Sequence, residues 1–304
     1  MKKKSKVQSS KFKVQSPKPK VENQRPKTKD QRPKTEDQQA NTAIQSSQSA
    51  ILFGVLPVLE ALRAENRRIE KIFVADGAKE KRLFDILDLA QRKGVQFQKI
   101  PRESFSRYVE NGVNHQGVIA FVAAANYVDA DKLLEEIYAK ENALLVILDG
   151  VEDPRNLGAI LRGVECAGAD GVFIPERRAV GLTETVAKSS AGATEYVKVA
   201  KVANINNLID KLKEHNIWVV GAGGEAETAY TEWDWTRSSA LVLGGEGKGL
   251  HRLTAEKCDA LVKIPMLGRI ESLNVSVAAG VILFEAVRQR RIKNLEPNFN
   301  LRNS

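Results

Sequence analysis

The hydrophobic pattern of this chain changes character near residue 50. Before it, Lys6, Lys13, Lys20, Lys27 and Lys34 recur every seven residues, and 24–30 and 31–37 are nearly identical. Only Val7, Val14 and Val21 recur as apolar positions, whereas a coiled coil needs two per heptad, and Pro17, Pro19, Pro26 and Pro33 would break a helix. Residues 1–48 are therefore expected to form a disordered Lys-rich repeat tail. Order is expected from about Ile51. Pro57 suits the first turn of a helix through Ala64, with Leu56, Leu59, Ala61 and Leu62 on its apolar side. Strands follow at 69–75, 95–100 and 118–123. A helix over 79–93 carries Leu83, Ile86, Leu87 and Leu89 and stops at Gly94, and another is expected at 102–110. These elements make a small α/β unit, 49–124. The polar stretch 125–142 reads as a linker with one connecting helix.

A second unit, 143–293, opens on a continuous apolar run, 143–149, that ends in an acid. Such a run suits a strand buried on both faces of a parallel sheet. A helix is expected at 156–168, with Leu157, Ile160, Leu161 and Val164 on one face. Strand-like runs recur at 171–174, 196–199, 217–221, 240–243 and 260–264. A last helix, 274–291, has Val275, Ala278, Ala279, Ile282, Leu283 and Ala286 along one side and a basic end. Residues 294–304 read as a tail. Alternating strands and helices predict a mostly parallel α/β sheet.

Charge and composition narrow the picture. The net charge of +9 resides wholly in residues 1–48, which hold 13 basic and 4 acidic residues; the rest is balanced at 34 of each. The tail is thus either a dispensable extension or a nonspecific RNA-binding arm whose effect weakens with salt. No run of 18 apolar residues predicts a transmembrane helix, and no apolar stretch near the start resembles a secretory signal. Cys166 and Cys258 are far apart, which fits a reducing, cytoplasmic compartment. With only three histidines in the chain, no metal site is expected.

Three segments look unlike ordinary packing. In the first, 149–162, a buried strand ends, Asp153 or Asn156 caps a helix, and Pro154 fixes the turn. Arg162 lies near Gly158 and away from the apolar face; Gly158 admits a close backbone or ligand. A surface pair of Arg162 with Glu165 is the plainer account. The second, 243–250, has four glycines in six residues directly after a strand, yet matches neither a Walker loop nor GxGxxG. That counts against a Rossmann dehydrogenase. The third, 264–276, places Ser272 and Asn274 at the start of the last helix. Each segment ends a strand, where open α/β sheets bind ligands.

Together these segments resemble, in order and nearly complete, the motifs of the SpoU (TrmH-type) branch of the SPOUT methyltransferases, over roughly residues 51–293. The nearest likeness is the bacterial 23S rRNA guanosine 2′-O-methyltransferase group. The resemblance implies a trefoil-knotted catalytic α/β domain behind a ribosomal-protein-like RNA-binding domain. It implies S-adenosylmethionine as cofactor, RNA (rRNA foremost) as partner, and a homodimer with the last helix in its interface. Cofactor contacts would come from Ala222, Gly223, Leu243, Gly244, Gly245, Glu246, Ile264, Met266, Leu273, Asn274 and Ser276. Arg162, Asn156, Glu246, Ser272 and Asn274 would form the catalytic set. Gly54, Asn114, His115, Gln116, Arg155, Lys188 and Ser190 would face RNA. One departure is Glu271 beside Ser272, where uncharged residues are usual; it would tune RNA contact or pair with Arg269. A tRNA methyltransferase of the same branch, or a non-catalytic RNA-binding or assembly protein, are the alternatives; cofactor binding separates the last from the others.

Overall fold

The computed structural model describes residues 49–77, 81–110 and 112–295. The expected tail over 1–48 and most of that over 294–304 lie outside the described residues.

The front unit is a four-stranded sheet of order β1-β4-β2-β3, from β1 (Ser49–Phe53), β2 (Ile69–Ala75), β3 (Gln96–Ile100) and β4 (Val118–Ala123). Pairs β1–β4 and β2–β4 are antiparallel, and β2–β3 is parallel. Helices α1 (Val55–Ala64) and α2 (Lys81–Arg92) cover one face, burying Val58, Leu59, Leu62, Leu83 and Ile86 against Ile72, Val74, Ala120 and Val122. Phe73, Tyr108 and Phe121 form an aromatic cluster, with ring centroids 5.2–5.6 Å apart. Strand β1 departs from the expectation that order starts with a helix: it is one side of the sheet, in register with β4. The expected helix at 102–110 is a shorter 3-10 turn, Arg102–Arg107, which places the Phe105 ring in the interior.

The second unit is a seven-stranded parallel sheet of order β7-β6-β5-β10-β8-β11-β9. Its strands are β5 (Leu144–Asp149), β6 (Gly171–Pro175), β7 (Val199–Val202), β8 (Trp218–Ala222), β9 (Thr228–Ala229), β10 (Ser239–Gly244) and β11 (Ala260–Lys263). The helices are α3 (Ala130–Tyr138), α4 (Pro154–Ala167), α5 (Glu184–Ser189), α6 (Ile205–Glu214), α7 (Arg252–Lys257) and α8 (Val275–Leu295).

The period of two along a strand explains why the apolar runs are unbroken. In β5, Leu144, Val146 and Leu148 join one core with α4 and α8, while Leu145 and Ile147 join the opposite core with α3 and α6. Strand β10 alternates the same way, Leu241 and Leu243 against Ala240 and Val242. Each such fully buried side chain contributes about 1.5–3 kcal/mol.

Several boundaries differ from expectation. The stretch 125–142 is not a linker: Val128 bridges Ala200, and Leu133, Leu134 and Ile137 of α3 fill the sheet's core. The last helix continues to Leu295. The strand expected at 196–199 is displaced, because 193–195 form a 3-10 turn committed to contacts with the front unit. There Glu195 pairs with Arg67, both side chains nearly inaccessible, with Arg67 Nε donating at 2.8 Å. Tyr196 Oη donates to Glu60 at 2.7 Å, and the Ile51 N–H donates to Glu184 at 3.1 Å. Removing either partner of a pair this buried would leave an uncompensated charge, at a cost of about 3–5 kcal/mol.

Candidate active site

The carboxyl ends of β8, β10 and β11 surround a cavity of about 610 Å³, within the roughly 300–1,000 Å³ of small-molecule sites. Its walls combine three chain segments: Ala222, Gly223 and Gly224 after β8; Leu243 to Gly247 and Gly249 after β10; and 262–264, Met266 and 271–275 running into α8. Much of this wall is backbone. The N–H of Gly245 and that of Gly249 each donate to the other's carbonyl at 3.1 Å, closing the glycine segment into a tight loop. Gly247 and Gly249 have φ of +73° and +64°, conformations that side chains disfavour. A Cβ on Gly223 would meet no protein atom within 4 Å. The glycines thus leave polar backbone and open space beside the apolar surfaces of Leu243, Ile264, Met266 and Leu273. That combination fits a nucleoside-bearing cofactor, whose flat base needs apolar walls and whose polar edges need backbone partners.

At the mouth the first segment meets the other two. Asp153 caps α4, accepting from the N–H groups of Arg155 (2.5 Å) and Asn156 (3.2 Å), with Pro154 as the first helical residue. This capping turns Asn156 inward, to 8% exposure. Its Nδ2 donates to Glu246 Oε1, and its Oδ1 accepts from Asn274 Nδ2 at 2.9 Å. Asn274 Oδ1 in turn accepts from the N–H and Oγ of Ser276, at 2.9 and 2.5 Å. A continuous polar chain therefore ties the three segments together.

Ten of the residues expected at the cofactor line the cavity: Ala222, Gly223, Leu243, Gly244, Gly245, Glu246, Ile264, Met266, Leu273 and Asn274. Ser276 does not; its hydrogen bonds go to Asn274. Ser272 lines the cavity too, and Asn156 reaches it through Glu246 and Asn274. Arg162 is outside the lining, exposed on α4, and takes part in no side-chain hydrogen bond or ion pair among the described residues, the suggested Glu165 pair included. Gly158 serves packing: its Cβ would lie 2.8 Å from the Val186 carbonyl oxygen, so it seats α5 against α4. Gly224, Gly247 and Gly249 were missed, although glycines flanking the motif positions are the legible signal. Glu271 also lines the cavity, and no ion pair among the described residues joins it to Arg269.

Of the residues expected to face RNA, Gly54, Gln116 and Lys188 meet where the front unit abuts α5. Gln116 Oε1 accepts from the Val55 N–H at 3.0 Å and from Lys188 Nζ at 3.1 Å, and Gly54 (φ +99°) leaves the space that Lys188 occupies. Burial lowers the Lys188 pKa. Asn114 and His115 adjoin this joint, and Arg155 is exposed at the start of α4. Ser190 is a correction: at 1% exposure, its Oγ donates to the Ala187 carbonyl and reaches no surface.

His115 stacks on Phe105, centroids 4.4 Å apart, and its Nδ1 accepts the Gly117 N–H at 3.1 Å. Burial, then the positive charges of Arg102 and Lys188, hold its pKa below the ordinary histidine value of about 6.5. The unfolded chain therefore binds the proton first. The stabilisation from neutral His115 is complete above pH about 6.5 and is lost as pH falls through the lowered folded value. The thermal midpoint should decline on acidification from pH 6.5, and His115→Phe, which keeps the stack and removes the titration, should flatten that slope. An unchanged slope would rule the residue out as the source.

A parallel α/β sheet whose strand ends converge on a nucleoside-sized, glycine-walled cavity defines a cofactor-binding α/β enzyme. The comparisons specify which. The profile of the SpoU rRNA Methylase family matches residues 143–284, and that described as RNA 2′-O ribose methyltransferase substrate binding matches 51–128. Putative TrmH family tRNA/rRNA methyltransferase YacO of Bacillus subtilis is 42% identical over 79% of this chain and 95% of its own. The 23S rRNA (guanosine-2′-O-)-methyltransferase RlmB of Xylella fastidiosa is 43% identical over 79% of this chain and 97% of its own. The SpoU methyltransferase AviRb from Streptomyces viridochromogenes, solved with AdoMet, shares the fold at TM-score 0.67 and 23% identity, over 84% of this chain and 99% of its own. The chain belongs to the SpoU family of RNA 2′-O-ribose methyltransferases.

Proposed function

We propose that the chain methylates the ribose 2′-hydroxyl of a guanosine in 23S rRNA with S-adenosylmethionine, acting in the cytoplasm as a homodimer. The observation that carries this reading is the Glu246–Asn156–Asn274 chain, which gathers all three motif segments at the mouth of one glycine-walled cavity. The target rests on similarity to the Xylella 23S rRNA enzyme.

S-adenosylmethionine supplies a methyl group made electrophilic by its sulfonium. The protein's part is to place an oxygen in line with that methyl, and orientation of this kind can lower a barrier by about 7–11 kcal/mol. Leu243, Ile264, Met266 and Leu273 would hold the cofactor against apolar surfaces, and the Asn156 chain fixes the polar edge of the cleft. The Arg162 guanidinium orients the ribose phosphate and stabilises the charge that develops on the 2′-oxygen as its proton passes to solvent. Gly54, Asn114, His115, Gln116, Arg155 and Lys188 guide the RNA.

The homodimer is supported by α8, where Val277 and Phe284, seven residues apart on one side, are each 50% exposed, with Leu267 and Ile270 exposed in the preceding loop. Large apolar side chains left exposed on this helix and the loop before it would be covered by a partner. The knotted threading belongs to the same reading: β10 is inserted centrally between β5 and β8, and the chain after β11 returns to lay α8 on α4. The test pairs light scattering with nucleotide-resolved mapping of ribose methylation across rRNA and tRNA after deletion of the gene. A dimer and one lost 23S guanosine mark are expected. A monomer overturns the dimer, and a mark lost only from tRNA overturns the target.

A further inference from the structure

Asp149 lies at the end of β5, and its backbone is the register partner of Gly244, the last residue of β10. Its carboxylate is buried, with the residue 6% exposed, and has no part in the reaction described above. Oδ2 accepts the backbone N–H of His251 at 3.0 Å, and Oδ1 pairs with His251 Nδ1 at 2.9 Å. Gly244 and His251 are the two residues that flank the glycine loop, 245–250. One residue thus fixes both stems of that loop, the first through the sheet and the second through its side chain.

The neighbouring backbone reinforces the arrangement. A Cβ on Gly245 would lie 2.4 Å from the Gly150 carbonyl oxygen, and one on Gly150 would lie 3.2 Å from His251 Cε1. The loop after β5 and the loop after β10 are therefore in direct contact. Gly245, Glu246, Gly247 and Gly249 line the cavity, whereas Asp149 and His251 do not.

We propose that Asp149 and His251 are positioning residues for the cofactor: a clamp that closes the glycine loop before the ligand arrives. This inference rests on the reading that the cavity holds S-adenosylmethionine. Glycine loses more backbone freedom on ordering than any other residue. An unclamped loop would transfer that cost to the binding step and weaken affinity without altering the reacting groups.

The test uses the full chain, with calorimetric titration of S-adenosylmethionine, steady-state kinetics and amide hydrogen exchange. Asp149→Ala is expected to weaken cofactor binding about tenfold, the scale of a lost hydrogen bond to a charged group. KM for the cofactor rises in step, and kcat at saturation stays within about threefold. Amides of 246–250 exchange faster, while β5 and α4 keep their protection. His251→Ala, which keeps the backbone bond, is expected to weaken binding by about threefold. Wild-type affinity and loop protection in Asp149→Ala overturn the clamp. Affinity loss accompanied by equal loss of protection through β5 and α4 also overturns it, by making the effect one of general stability. Should Asp149→Ala not fold, Asp149→Asn and His251→Ala decide by the same criteria. A wild-type chain that fails to bind S-adenosylmethionine defeats the cofactor reading instead, and exchange in the loop still judges the clamp.

Discussion

Arg162→Ala is expected to bind S-adenosylmethionine within about twofold of wild type and to lose at least 10²-fold in methyl transfer, the scale of a lost catalytic group. The two halves of this expectation have separate physical grounds. Arg162 is exposed on α4 and lies outside the cavity lining, so its removal takes nothing from the cofactor's walls. Its side chain has no hydrogen bond or ion pair among the described residues, so the fold should lose no more than about 0.5 kcal/mol, as for most surface substitutions. Elsewhere around the site polar side chains are held by neighbours: Asn156 by Glu246 and Asn274, Asn274 by Ser276, Lys188 by Gln116. A guanidinium left without such a partner is free to take a phosphate or an oxyanion from RNA, and in the dimer reading it is free to serve either subunit's cleft. Arg162→Lys keeps the charge and loses the planar fork, so it should recover only part of the rate. Calorimetry for binding and single-turnover kinetics for transfer separate the halves. Turnover within about threefold of wild type would remove Arg162 from the chemistry.

How much of this was legible beforehand depended on which physical signal each feature carries. Strand β5 was readable because six consecutive residues are buried on alternating faces, and no other element turns that requirement into an unbroken apolar run ending in an acid. The start of α4 was readable because Asp153-Pro154 combines a cap with a preset φ. The strand expected at 196–199 begins instead at Val199, because the turn before it answers to a partner 128 positions away: Glu195 is buried against Arg67, and no local period encodes that. The same limit applies to 125–142, whose Val128 completes a bridge to Ala200 although its surroundings look polar. At the site, motif likeness picks out ten residues that line the cavity. The roles of Ser190 and Ser276 were not legible, because a hydroxyl turned to a nearby carbonyl or amide looks, in sequence, the same as one turned to a ligand. Asp149 was visible as the acid that ends the strand, but its hold on His251 follows only from the β5–β10 register.

The glycine loop gives the second large expectation, and two substitutions within one cavity separate folding from binding. In Gly244→Ala the new methyl carbon would lie 2.0 Å from Gly249 C, 2.2 Å from Gly249 O and 2.3 Å from Leu250 N. All three are backbone atoms, so no rotamer change relieves the overlap. The loop must move outward, breaking the paired hydrogen bonds between Gly245 and Gly249 and shifting Glu246 away from Asn156. Overpacking at a rigid site costs about 1–3 kcal/mol, and the cofactor wall is deformed as well. Gly244→Ala should therefore lower the thermal midpoint without ligand and abolish measurable cofactor binding. In Gly223→Ala the methyl would meet no protein atom within 4 Å and would project beside the cavity, so stability should stay within about 0.5 kcal/mol. Its affinity should nevertheless fall by about tenfold, because the methyl takes space that the ligand needs. Melting curves and calorimetry on the two variants make the comparison. If Gly244→Ala melts and binds like wild type, the close approach of the loop's two arms is not what shapes the cavity; if Gly223→Ala binds like wild type, the ligand does not lie against the end of β8.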